Sequence, residues 1–232
     1  MREEIRRAFK YAVPIFIGYV PAAVAFGILS KGCGIGLFEC FLFSAVVFAG
    51  ASQFIALNLL MAGTGPGGII ATTLLVNFRH FLMSASLSAR VTKASKRFLF
   101  LMAFGVTDEV FSVLSFQKGK LPKSYILTLQ LSAYSAWVGG TLAGYSLGNI
   151  LPEVVTKSMG VALYALLLAI LIPEIKKSAR SLILAISAGC LNTALIKLDI
   201  LPNGWTIIVC ILVIASVGAF WQEEKNSGET YG

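Results

Sequence analysis

Three short polar groups interrupt a chain that is otherwise strongly apolar. They are Ser52 and Gln53 within AGASQF (49–54), Asn77, Arg79 and His80 within NFRH (77–80), and Thr107, Asp108 and Glu109 (107–109). NFRH makes the heaviest demand. It lies at the centre of IIATTLLVNFRHFLMSASLSAR (69–90), a run long and apolar enough to enter a membrane, and His80 is the chain's one histidine. A cation near mid-bilayer costs about 2.5 to 3.5 kcal/mol on insertion scales, so it persists only with a partner or a wet cavity. Asp108 and Glu109 can exchange protons or hold a substrate amine, and His80 can carry a proton near physiological pH. A purely structural Asp108 to Arg79 ion pair is the plainer alternative.

Helical geometry divides the motif. At 100° per residue, Thr73, Asn77, His80, Ser84 and Ser88 fall within about 40° of one line and form a polar stripe, whereas Arg79 lies about 140° away. Either the segment unwinds near Asn77, or Arg79 makes a structural pair while the stripe lines a path. Asp108 and Glu109, being adjacent, point about 100° apart on a helix. After a break at Gly105, Thr107 or Asp108 is placed to cap a new half-helix, whose positive end favours a carboxylate. AGASQF reads equally as a close helix contact of small residues or as a local break facing a cavity.

The elements that must position these groups are helices in a bilayer. Hydrophobic residues make up 57% of the 232 and charged residues 13%, against about a quarter charged in a soluble domain. With roughly 20 apolar residues needed for one crossing, the chain has room for about six to eight membrane segments in a single all-α polytopic domain (1–232), some of them discontinuous or re-entrant. The net charge of +8 is spread over short basic runs between apolar segments, as the positive-inside rule expects, and does not point to nucleic acid. Residues 1–10 are basic and read as a cytoplasmic N-terminus leading into a retained first helix, in preference to a cleaved signal peptide. GTGPGG (63–68) lacks the Lys-Ser/Thr of a phosphate-binding loop and reads as a tight turn. In 125–148, Gly140, Gly144 and Gly148 repeat every fourth residue and offer a smooth packing face. Apolar runs at 159–173, 181–196 and 205–221 follow, the last bracketed by Trp205 and Trp221, and 222–232 reads as a polar, disordered tail.

The basic clusters at 2–10, 90–97, 118–123 and 176–180 should share the cytoplasmic side, which requires an even number of crossings between neighbours. Three apolar segments separate the first two clusters and one separates the next two. The parity is restored if one of the first three segments, and the segment at 98–116, enter the membrane without crossing it. Eight plain spans, with one cluster on the wrong side, is the alternative. No enzyme signature is present: there is no H-E-x-x-H, no G-x-S-x-G, and only one histidine to act as a base. The four cysteines lack metal or redox spacing, and nothing calls for a cofactor or metal.

FAGASQFIALNLLMAGTGPGG (48–68), TTLLVNFRHFLMSASLSAR (72–90) and TDEVFSV (107–113) together strongly resemble the AzlC family of bacterial membrane proteins. The resemblance implies export of leucine, isoleucine, valine or related apolar amino acids across the cytoplasmic (inner) membrane, with a small AzlD-type membrane subunit as partner. An amino acid needs a cation or helix N-terminus for its carboxylate and an acid or carbonyls for its ammonium, and discontinuous helices supply such ends in many transporters. On that reading Ser52, Gln53, Asn77, Arg79 and Ser84 bind substrate, while His80, Asp108 and Glu109 hold the ammonium or couple protons. A non-transporting assembly subunit and a passive small-solute channel are the alternatives. Self-association is left open.

Overall fold

The computed structural model describes residues 2–91, 94–117, 119, 121–148, 168, 172, 175, 176, 178–198, 201 and 205–228. Every regular element among them is helical: α1 (Arg2–Gly32), α2 (Leu37–Leu42) continuing into a π-helical turn (Phe43–Val47), α3 (Gly50–Met61), α4 (Pro66–Ser88), α5 (Lys96–Phe104), α6 (Asp108–Phe116), α7 (Lys123–Leu147), α8 (Ala179–Leu198) and α9 (Trp205–Gly228). The expected all-α membrane class is what the chain adopts. By length and composition α1, α4 and α8 can each cross a membrane, and α5 with α6 forms a fourth candidate as a bent pair. The expected run at 159–173 falls almost wholly outside the described residues. α9 continues as helix through the first part of the polar tail, to Gly228. Packing divides the chain into two compact units, Met1–Leu57 with Val76–Leu166, and Asn58–Leu75 with Leu167–Gly232.

In the first unit α1 and α7 form the central pair, and glycines are why they can. A Cβ on Gly140 would come within 2.7 Å of the Ala23 Cβ, one on Gly27 would strike the Thr141 carbonyl, and one on Gly144 would strike the Val24 carbonyl. The four-residue repeat of small residues on α7 is therefore a contact face, as its spacing suggests. α1 runs unbroken through Pro14 and Pro21. Rings fill the space beside it: Phe26 meets Phe43, Phe54 and Trp137 with centroids 5.7, 5.5 and 6.4 Å apart.

Two hairpins of broken helix pack on this pair. In the first, α2 and its π turn stop at Phe48, which takes left-handed backbone angles (φ 43°, ψ 47°), and α3 then starts at Gly50. Phe43 and Phe54 both touch Phe26, and Gln53 Nε2 donates to Ser44 Oγ at 3.0 Å, so the chain doubles back on itself around Phe48. In the second, α5 and α6 are bent by 120° at Gly105–Thr107. The Arg90 guanidinium, just past the end of α4, donates to the carbonyls of Leu114 (2.9 Å), Ser115 (3.2 Å), Gln117 and Gly119 (3.2 Å). Lys123 lies over the Phe98 ring, and Arg7 bonds to Gln117 and lies over the Tyr125 ring. The start of α5 and the end of α6 thus sit at one end of the unit, beside the N-terminal part of α1. The hairpin enters and returns.

The first hairpin enters from the opposite end, where Lys31 donates to the Tyr145 carbonyl (3.3 Å) and the Tyr145 hydroxyl to the Ile35 carbonyl (3.0 Å). The two tips meet on α7. Phe48, Phe104 and Tyr134 form one ring cluster, with centroids 5.1 to 6.2 Å apart. Broken helices survive at membrane depth only where protein re-satisfies the freed backbone, and α7 does this at both breaks. The Tyr134 hydroxyl donates to the Ala45 carbonyl (2.9 Å), and the Gln130 amide donates to the Met102 carbonyl (2.7 Å).

In the second unit Leu184 of α8 packs against Gly218 of α9, and Asn192 faces Cys210. The four cysteines are all free.

Candidate functional site

α4 is a continuous helix through Asn77, so the segment does not unwind there. Of the segments ahead of residue 90, the one carrying AGASQF is the one that doubles back. Arg79, pointing away from the polar stripe, reaches Asp108 instead: Nη1 lies 2.9 Å from Oδ2, with each side chain about one-third exposed (36% and 34%). Of the two sequence alternatives for Arg79, the ion pair is the one realised.

Asp108 opens α6. Thr107 is its N-cap, with the Val110 N–H donating to Thr107 Oγ1 at 3.4 Å, and both Asp108 and Glu109 occupy the first turn, where the positive end of the helix favours carboxylates. The Tyr19 hydroxyl, from α1, lies 2.7 Å from Thr107 Oγ1 and 2.5 Å from Glu109 Oε2. Tyr19 also stacks edge-on against Trp137, centroids 5.4 Å apart. His80 is half-buried on α4, within electrostatic reach of Arg79 and Glu109. The structure therefore brings Arg79, His80, Asp108 and Glu109 together, from α4 and the tip of the second hairpin, and adds Tyr19. A tyrosine in the first apolar run gives no local signal of that role, because its partners lie 88 and 90 residues away.

Two buried polar atoms of α4 have no partner, Asn77 Oδ1 and Arg79 Nε. Unsatisfied buried donors and acceptors each cost about 1 to 3 kcal/mol and call for an explanation. A ligand or water donating to Asn77 on one face of α4, and another accepting from Arg79 on the opposite face, is such an explanation. Ser84 is half-buried one turn beyond His80.

Ser52 and Gln53 are used differently. Both are fully buried. Gln53 Oε1 accepts from the Trp137 indole (2.9 Å) and from the Ala49 N–H (3.2 Å), its Nε2 donates to Ser44, and Ser44 meets Thr141 Oγ1 at 2.8 Å. Ser52 Oγ donates to the Ala49 carbonyl at 2.9 Å. These bonds close the first break internally and run to Ala49, Ser44 and Trp137 rather than to Arg79 or Asp108. Gln53→Leu should accordingly act on stability: it strips partners from the Trp137 indole, the Ala49 amide and Ser44, and a loss of about 2 to 4 kcal/mol is expected. The measurement is thermal unfolding of the detergent-purified chain, and an unchanged midpoint would refute the assignment.

Residues 14–151, which run from Pro14 within α1 to just past the end of α7 and hold both hairpins, match the family model described as AzlC protein. The chain is 34% identical over 201 residues to an uncharacterized membrane protein of Archaeoglobus fulgidus, covering 86% of this chain and 88% of the relative. It is 31% identical over 222 residues to the inner membrane protein YgaZ of Escherichia coli K12 (92% and 90%). It is 29% identical over 182 residues to the branched-chain amino acid transport protein AzlC of Bacillus subtilis 168 (75% and 69%). No solved structure matches. The family match and these relatives lead to one conclusion: the chain belongs to the AzlC family of membrane proteins, and a transport-related role is the one they support.

Proposed function

We propose that the chain is the transport subunit of a secondary exporter of branched-chain or related apolar amino acids in the cytoplasmic membrane, driven by proton exchange and working with a small AzlD-type membrane subunit. The observation that carries this reading is the Arg79–Asp108 pair, one-third exposed at a helix break, with Arg79 Nε left unpartnered beside it. A zwitterion can exchange into it. Its carboxylate replaces Asp108 on the Arg79 fork, and its ammonium replaces Arg79 on Asp108 or takes Glu109. Each charge then keeps a counter-charge throughout, which is what a low-dielectric site requires. Without substrate the pair is closed on itself.

The apolar specificity fits the surroundings, because the polar groups converge on the two ends of an amino acid and the remaining residues near the tips are rings. Asp108, Glu109 and His80 are the groups able to carry the coupling proton. Gathering of Arg7, Arg90 and Lys123 at one end of the first unit supports a cytoplasmic N-terminus by the positive-inside rule. The test is counterflow of labelled leucine in vesicles holding the purified chain, with and without the small partner. Saturable uptake that unlabelled valine suppresses is the expected result. Non-saturable flux, or no flux with the partner present, would overturn the reading.

A further inference from the structure

Glu109 is tied to α1, and the tie has a direction. A phenol or an aliphatic hydroxyl has one hydrogen to give, and an ionised carboxylate can only accept. With Glu109 ionised, the hydrogens across the buried Tyr19 must therefore run in one sense: Val110 N–H to Thr107 Oγ1, Thr107 hydroxyl to Tyr19 Oη, Tyr19 hydroxyl to Glu109 Oε2. Every donor then has an acceptor. With a proton on Oε2 the carboxyl becomes a donor to Tyr19. Tyr19 must turn its hydrogen to Thr107, and the Thr107 hydroxyl loses the acceptor it had. The run of bonds is complete in one protonation state and interrupted in the other. The remaining charged or titratable groups around it are Asp108 alongside, and on α4 His80 with Arg79 next to it. α7 presents the Trp137 ring, which does not titrate.

We propose that Tyr19 is a positioning residue that reads the protonation of Glu109 and passes it to the α1–α7 pair through its ring contact with Trp137. The protonated state loosens the tip of the second hairpin from α1, and the ionised state pins it. The coupling role rests on the transport reading above, whereas the proton-linked rearrangement stands without it.

The chain has three tryptophans, so W205F/W221F leaves Trp137 as the only one. Titrating its fluorescence with pH in proteoliposomes, with no amino acid present, should give a single transition. E109Q should abolish it. Y19F keeps the ring but removes the hydroxyl, so the ionised carboxylate loses its donor. The midpoint should then move up by about one to two pH units, the worth of one hydrogen bond to a charged group, and the pH profile of leucine counterflow should move with it. A transition that survives E109Q, that is identical in Y19F, or that is missing from the single-tryptophan protein overturns the proposal. A normal transition, lost in E109Q and moved in Y19F, in a chain that carries no leucine would uphold the Tyr19–Glu109 link and overturn the transport reading instead.

Discussion

Asp108→Asn is expected to cut pH-gradient-driven valine flux in proteoliposomes by at least about 100-fold, a change worth about 2.7 kcal/mol of barrier. Asparagine matches the shape of aspartate and can still accept one hydrogen bond from Arg79. It cannot carry a proton or balance an ammonium. Arg79 would be left as an uncompensated cation at membrane depth, which is costly. Retention of full flux would remove Asp108 from the mechanism. Arg79→Lys should raise the substrate concentration needed for half-maximal flux by about tenfold or more, because an ammonium cannot reproduce the two parallel bonds of the fork. The exchanged pair, Arg79→Asp with Asp108→Arg, separates a structural role from a transport role. If the ion pair only holds α4 to the hairpin, the exchange restores both thermal stability and flux. If substrate passes through the pair, stability returns and flux does not.

The second large effect is expected away from the charges. Gly144→Leu should abolish recovery of folded protein from the membrane, whereas Gly139→Leu, next to Gly140 but off the α7 repeat, should be tolerated. A Cβ at Gly144 would meet the Val24 backbone, and at Gly139 it would meet nothing within 4 Å. Backbone cannot move aside as a flexible side chain can. Overpacking of a well-filled contact commonly costs about 1 to 3 kcal/mol, and here it would separate the two helices on which both hairpins are built. Monodispersity of the two variants in detergent is the measurement. Equal behaviour would show that the α1–α7 contact is not the organising one.

These two experiments also mark what could be read from the sequence and what could not. The break at Gly105 and the cap at Thr107 were legible because Gly-Val-Thr-Asp is local chemistry, and because the parity of the basic clusters forbade a plain crossing at 98–116. The contact face of Gly140 and Gly144 was legible from its period. A break at AGASQF was legible as one of two readings, but the left-handed Phe48 that makes it was not, since a phenylalanine in that region is uncommon and its ring partners Phe104 and Tyr134 lie far along the chain. Ser52 and Gln53 look from the sequence like lining residues. A buried glutamine with a distant indole as donor has the same sequence signature as a glutamine facing a pore. Tyr19 was missed for the same reason: helical periodicity records which face a residue occupies, not which partner it meets 90 residues later.

The dependence of the first hairpin on α7 sets a timetable for making the protein. Gln53 receives its bond from Trp137, and Ser44 its bond from Thr141, across 84 and 97 residues. At roughly 5 to 20 residues per second of synthesis, the hairpin is complete some 4 to 20 s before its partners exist. Through that interval the Ala45 carbonyl lacks its bond from Tyr134 and Gln53 Oε1 its bond from Trp137, and lipid offers neither. The hairpin is therefore expected to reach its final packing only when α7 arrives. A nascent chain stopped short of Tyr134 carries a hairpin without these partners, which ties its completion to the synthesis of α7.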